Sequence, residues 1–407
     1  MVYTKRDIYI LFAARTLRLF AYGFLSVILL LYLSQLGLNE YQIGLLITLT
    51  LIGDAVISLW ITTHADKYSR KIMLIFGAVL MTYAGIIFVV TDNYFLLIIT
   101  AIIGVISPTG KEMGPFLSIE QSSLAQITGT KNLTKLFAWY NLAGSFAASL
   151  GALFAGWSTE LLQKAGFSLL SSYKIILAVY GLTGISLFIL FLFLSEQIKV
   201  KNIKNTRHFK QILGLHHSKK TVIKLSSLFA LDAFAGGFII QSIIAYWFFI
   251  KFNVNPGILG SILFTVNLAA GISTLLAERI AKRFGLVNTM VFTHLPSNVL
   301  LILIPLMPNL IFATAMLILR FCISQMDVPV RQAYTIALVS EDERSAASGI
   351  TNITRSIGAS LSPSISGIFL ANPLFISLPF FFAGGLKIIY DLCLYFNFRN
   401  LDKKNVI

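Results

Sequence analysis

The sequence predicts an all-α membrane protein whose twelve transmembrane helices form two pseudo-symmetric bundles of six, and three observations carry that prediction. The 407 residues are 57% hydrophobic and only 12% charged, too apolar for an ordinary soluble domain. The apolar residues are gathered in long runs, such as 8–33, 72–90, 173–194 and 374–398, each reaching the roughly 20 residues needed to cross a bilayer. The two halves of the chain also repeat each other in order.

The first span, 8–34, follows a basic start, but its apolar stretch is too long for a secretory signal and no small-residue cleavage site follows it. It is read as a retained helix. Spans at 41–62, 72–91, 94–118, 134–157 and 173–195 complete an N-terminal bundle, 1–195. The polar stretch 196–221, rich in Lys, Asn and His, is a basic cytoplasmic linker; a solvated loop beside anionic headgroups explains His216 and His217 better than a metal site. Spans at 222–250, 256–277, 286–306, 309–330, 346–370 and 374–398 make a second bundle, 222–407, with a short cytoplasmic tail. With the N-terminus inside, 22 of the 32 Lys and Arg face the cytoplasm and only Lys164, Lys174 and Lys251 face the other side. This is the positive-inside pattern, which places both termini in the cytoplasm and the protein in the inner or plasma membrane. The net charge of +15 is therefore topological and not a nucleic-acid footprint. Cys322 and Cys393 both fall within spans, so no disulfide framework or metal knuckle is available, and neither metal nor cofactor is expected.

The repeat can be counted. Leu17–Leu25 (LRLFAYGFL) matches Leu231–Ile239 (LDAFAGGFI) at a shift of 214 with five identities, and Pro115 meets Pro329 at the same shift. At 216, Gly44 meets Gly260, Ala65 meets Ala281 and Lys67 meets Arg283. At 211, Asn141 meets Asn352 and GSFAASLGALFAG meets RSIGASLSPSISG. Four matches in order at nearly constant spacing point to duplicated halves.

Between the second and third spans stands Thr62-Thr-His-Ala-Asp-Lys-Tyr-Ser-Arg-Lys71. It resembles the major facilitator signature G-x-L-A-D-R-x-G-R-K: Ala65, Asp66, Lys67, Arg70 and Lys71 match, whereas Thr62, His64 and Ser69 replace Gly, Leu and Gly. The second copy, Ile280-Ala-Lys-Arg-Phe-Gly285, keeps the basic and Gly positions but has Lys282 where the Asp would stand. The resemblance extends over the whole chain, with a Pro near the ends of spans four and ten, and implies a carrier that works by alternating access. It also implies a cytoplasmic gate at Asp66, Lys67, Arg70 and Lys71, a charge network whose rupture opens the cavity inward. Gly144, Gly151 and Gly156 in span five resemble the glycine-rich signature of proton-coupled exporters, although Ala152 replaces its Pro; close helix packing explains these glycines almost as well.

Ionisable residues inside spans are the sharpest pointers to a site, because each costs roughly 2.5 to 3.5 kcal/mol at a lipid-facing helix centre. Arg15, Arg18, Asp54, Lys111, Glu112, Asp232, Arg320, Asp327, Arg331, Arg355, Lys387 and Asp391 fall in this class. Asp327 with Arg331, and Lys387 with Asp391, are four apart and read as local ion bridges, while Arg15 and Arg331 are near enough to an interface to snorkel. The substrate or proton path is assigned to Arg18, Asp54, Lys111, Glu112, Asp232, Gln241, Arg320, Asp327 and Arg355. Arg18 and Asp232 are repeat-equivalent, which would set opposite charges on facing sides of a cavity; a permanent salt bridge clamping the halves is the other reading. Span four holds Pro108-Thr-Gly-Lys-Glu-Met-Gly-Pro115, which breaks the helix near Lys111 and Glu112. Its counterpart, Ser324-Gln-Met-Asp-Val-Pro329, is similarly polar, so Gly114, Pro115 and Pro329 are candidate hinges. His294 reads as a membrane histidine bonded to a neighbouring helix.

These features favour a secondary active transporter of a small organic solute, coupled to protons, with efflux preferred over uptake of an organic anion, amino acid or siderophore. A monomer in the lipid bilayer is expected. A non-transporting sensor on a carrier fold is the alternative of another class. No G-x-x-x-x-G-K-[ST], G-x-S-x-G or H-E-x-x-H is present, so neither a nucleotide engine nor an intramembrane enzyme is indicated.

Overall fold

In lipid a backbone must satisfy its own polar groups, and a helix does so within one segment. The computed structural model describes residues 5–112, 116–128, 133–195, 218–339 and 343–405, and every regular element among them is helical. In chain order these are α1 (Lys5–Gln35), α2 (Glu40–Tyr68), α3 (Arg70–Val90), α4 (Tyr94–Ile103), α5 (Phe116–Thr128), α6 (Leu133–Lys164) and α7 (Leu169–Leu192). They are followed by α8 (Lys219–Gly237), α9 (Gln241–Phe252), α10 (Pro256–Phe284), α11 (Leu286–Leu303) with a closing 3₁₀ turn at Ile304–Leu306, and α12 (Leu310–Ser324). The series ends with α13 (Asp327–Ala337), α14 (Arg344–Leu370) and α15 (Leu378–Asn405).

Taken with α4 and α5, α8 and α9, and α12 and α13 as the halves of interrupted spans, the fifteen helices among the described residues group into twelve segments, consistent with the twelve predicted spans. Nine of these segments are long and apolar enough to cross a membrane by length and composition; α4–α5, α6 and α14 fall short of that measure among the described residues. Large apolar side chains such as Val56, Trp60, Phe95, Phe146, Ile311 and Phe396 stand exposed. On a membrane protein that exposure is the lipid-facing surface. Side-chain caps fix several starts: Asn93 accepts from Phe95 and Leu96, Ser168 from Ser171, and Asn309 from Phe312.

Three differences from the predicted spans have physical causes. Span four breaks earlier than Lys111, at Gly104, and the next described helix begins at Phe116. Span seven is not continuous: the Gly236-Gly237 pair ends α8, and α9 restarts at Gln241. Helices α2, α10 and α15 run past the ends of their apolar runs, because a helix continues into polar sequence once its first turns are fixed.

The chain divides into two compact units, 1–203 with 240–265, and 204–239 with 266–407. Within each unit the repeat is expressed in atomic packing. Gly23 of α1 lies so close to α6 that a Cβ there would overlap the Ala148 carbonyl; 214 and 211 residues later, Gly237 of α8 meets the Ala359 carbonyl of α14 in the same way. The next contact along is equivalent too. A Cβ on Gly151 would overlap the Phe20 carbonyl, and at the matching position Ser362 donates its hydroxyl to the Phe234 carbonyl.

Candidate functional site: buried charge at the helix interruptions

Where span four is interrupted, freed carbonyls find protein donors. Tyr180 of α7 donates to Val105, Ser242 of α9 donates both its backbone N–H (3.2 Å) and its hydroxyl to Pro108, and Ser107 donates to Lys111 at 2.8 Å. Gly110 turns with φ +65°, and a Cβ there would stand 2.9 Å from the side-chain oxygens of Gln241 and Ser26. The interruption of span four and the start of α9 are therefore packed together within the first unit. Gln241 lies at this junction, buried, with its side-chain nitrogen unbonded among the described residues.

The interruption delivers two carboxylates to α1. Arg18, 0% exposed, donates through Nε to Glu112 at 2.9 Å and through both terminal nitrogens to Glu120 at 2.8 and 2.7 Å. Arg15 pairs with Glu112 at 3.0 Å and donates to Asn141 of α6 at 3.1 Å. Tyr140 of α6 donates to Glu120 and lies under the Arg15 guanidinium, while Phe116 lies under that of Arg18. Gly144 clears the space that Arg15 fills, since a Cβ would stand 2.7 Å from its Nε. Bidentate geometry and full burial make this a strongly held pair of charges. Arg15 is consequently inside the bundle and does not snorkel, contrary to the sequence reading. Glu120 lies five residues beyond the Pro108–Pro115 tract, its partner stands 102 residues away, and no local spacing reveals the pair.

In the second unit the signs are exchanged. Asp232 of α8, the repeat partner of Arg18, is 3% exposed and accepts from Lys387 (2.5 Å), Arg331 (3.1 Å) and Arg355 (3.2 Å). Arg331 also bonds Asp327 at 2.9 Å, the expected bridge four residues apart. Arg331 is buried in this network and does not reach an interface. The predicted Lys387–Asp391 bridge is replaced by two others: Lys387 turns to Asp232, and Asp391 is held by His294 Nδ1 at 2.8 Å and Asn298 Nδ2 at 2.8 Å. His294 Nε2 stands 3.9 Å from Asp232, so the histidine of α11 links the carboxylates of α8 and α15. Arg320 of α12 is buried one turn before the Gln325–Met326 interruption, against Phe321. Pro329 occupies the first turn of α13, where a missing N–H costs no helical bond.

The remaining predicted residues are more scattered. Asp54 is buried in α2 next to Gly53, which packs against the Ile102 carbonyl, and its charge acts on Tyr22 and Tyr180. Lys111 is exposed. Arg70 donates to Gln126 of α5 at 2.8 Å, and Lys71 donates to the Leu192 and Leu194 carbonyls at 2.8 Å, capping the end of α7. The side chains of Asp66 and Lys67, and the whole of Gly114 and Pro115, lie outside the described residues. Gly156 of α6 packs on Pro256, Gly257 and Gly260 of α10, so all three span-five glycines mark close approaches.

Two repeats, each burying an ion cluster beside an interrupted pass, define a polytopic membrane protein of the carrier kind. The family model of the Major Facilitator Superfamily matches residues 11–363 and 227–406, and the chain belongs to that superfamily. It is 29% identical to the uncharacterized membrane protein YJR124C of Saccharomyces cerevisiae, over 98% of this chain and 96% of that protein. It is 24% identical to the quinolone resistance protein NorA of Staphylococcus aureus over 40% of this chain and 41% of that one. The nucleoside transporter NupG shares the fold with a TM-score of 0.77 at 14% identity, over 97% of this chain and 100% of that chain.

Proposed function

We propose that the protein is a proton-coupled secondary transporter that moves a small organic solute by alternating access, with export as its physiological direction. The observation that supports it most directly is the Asp232–His294–Asp391 linkage: two buried carboxylates joined through an imidazole at 3.9 and 2.8 Å, beside an interrupted helix. An imidazole is the side chain whose charge changes near neutral pH, and a buried carboxylate exchanges its proton for a cationic partner when that partner moves. Asp54 is a second carboxylate able to carry the coupling proton. The similarity to NorA favours export. Asp66 completes a gate with Lys67, Arg70 and Lys71 that opens and closes the cytoplasmic side.

The test is reconstitution into proteoliposomes with a trapped pH-sensitive dye, screened against organic anions, amino acids, nucleosides and drugs. A solute that collapses an imposed pH gradient is expected in the wild type. His294→Gln and Asp391→Asn should uncouple solute movement from the proton, flattening the pH profile, while Asp66→Asn should lower turnover with normal membrane insertion. Unchanged pH-dependent transport in Asp54→Asn, His294→Gln and Asp391→Asn together would remove the proton assignment.

A further inference from the structure

We infer that the solute carries a single negative charge, an organic monocarboxylate, and that Arg320 is the group that anchors it. This names the substrate class of the transporter proposed above and rests on that reading.

The argument begins with unbalanced charge. In the second unit four cations, Arg320, Arg331, Arg355 and Lys387, share one cluster with three carboxylates, Asp232, Asp327 and Asp391. Asp391 is bonded by His294 and Asn298, and the ion pairs of Asp232 and Asp327 go to Arg331, Arg355 and Lys387. Arg331 bonds both of these carboxylates and Lys387 bonds Asp232 at 2.5 Å. Arg320 is left over. It is 5% exposed, Asp232 and Asp327 act on it through space, and its guanidinium has no hydrogen bond or ion pair with any described residue; its Nε is fully enclosed without an acceptor. Leaving a cation buried without a partner costs several kcal/mol, which a fold does not accommodate for packing alone. A neighbouring phenyl ring, Phe321 at 4.8 Å, supplies only a fraction of what hydration gave.

The missing partner is an anion of one charge, since among the described residues, with His294 neutral, four cations of the cluster face three carboxylates. A guanidinium presents parallel N–H donors that match a carboxylate in plane, so a monocarboxylate fits both charge and shape. Arg355 is the second contact available to it. Its side chain is 29% exposed, and its one bond is to an Asp232 that keeps Lys387 and Arg331 when Arg355 turns away.

The test uses the purified full-length protein and reads its thermal unfolding midpoint with benzoate, lactate, succinate, uridine or tetraphenylphosphonium. A monocarboxylate is expected to raise the midpoint where uridine, the dianion and the cation do not. Arg320→Gln should weaken that ligand about ten- to hundred-fold, Arg355→Gln less, and Arg320→Lys should retain part of it. Lys282→Gln, which removes an exposed bridge to Glu278, should leave it intact. Without ligand, Arg320→Met should unfold no earlier than the wild type, because it removes an unpaired buried charge. The inference is overturned if no monocarboxylate shifts the midpoint, if the shift survives Arg320→Gln, or if ligand-free Arg320→Met is clearly less stable. Parallel flux measurements in proteoliposomes separate the two ideas: movement of uridine or the cation without any carboxylate keeps the transporter and removes the anion, whereas no flux of any class removes both.

Discussion

At the scale of single residues, the first unit turns on Arg18. Its guanidinium is wholly removed from solvent and is held by Glu112 and by both oxygens of Glu120, with Phe116 closing one face. Loss of one partner from a buried pair leaves the other charge uncompensated, at a cost of about 3 kcal/mol or more. Glu120→Gln should therefore lower the unfolding midpoint far more than its small change in volume implies, while the double variant Arg18→Met with Glu120→Leu should recover part of that loss. A Glu120→Gln protein as stable as the wild type would mean the charges are hydrated and the burial argument is wrong. The sequence announced Arg18, Asp232, Asp327 and Arg355 because charge in an apolar run is conspicuous. It did not announce their pairing. Glu120, Lys387 and His294 meet their partners 102, 155 and 97 residues away, on helices whose facing sides only packing decides. The local rule that charges four apart make a bridge held for Asp327 and Arg331 and failed for Lys387 and Asp391, because Asp232 offered Lys387 a buried carboxylate on another helix.

At the scale of elements, the two repeats place corresponding helices in contact through different chemistry. α1 meets α6 where Gly151 leaves no room for a Cβ beside the Phe20 carbonyl; α8 meets α14 where Ser362 instead donates to the Phe234 carbonyl. Adding a methyl at the first site must push two backbones apart, a strain of about 1–3 kcal/mol. Removing a hydroxyl at the second loses one hydrogen bond, about 1 kcal/mol, from a carbonyl that already lies in a helix. Gly151→Ala should accordingly destabilise the protein more than Ser362→Ala, measured as unfolding midpoints in the same detergent. Equal effects would show that α1 and α6 yield freely. The interruption of span four was legible from prolines and glycines clustered with charge, and span ten showed only a polar tract with Pro329 as a candidate hinge. That of span seven was not, since Gly236-Gly237 sits in an otherwise unbroken apolar run whose hydropathy looks like one helix.

At the scale of the whole molecule, the compact units do not coincide with a cut at the linker. Residues 240–265 belong with 1–203, although they follow the linker and α8 in sequence. Its helix α9 is buried all round over Gln241–Phe248, with Ile243, Ile244, Trp247 and Phe248 enclosed, and Tyr246 bonds Ser34 and Glu40 while Ser242 bonds Pro108. A helix buried all round cannot be left out of its unit without exposing the surface it covers. Residues 196–217 of the linker lie outside the described residues and 219–221 already form the start of α8, so a chain severed at 203 tests the division directly. Fragments 1–203 and 204–407, expressed together in one membrane, should copurify and unfold as one species, because the second fragment carries a segment that completes the first unit. Expressed alone, 1–203 lacks that segment and should be degraded or aggregate on extraction. Recovery of 1–203 by itself as a monodisperse protein, with an unfolding midpoint equal to that of the intact chain, would mean that 240–265 covers the first unit without contributing to its stability.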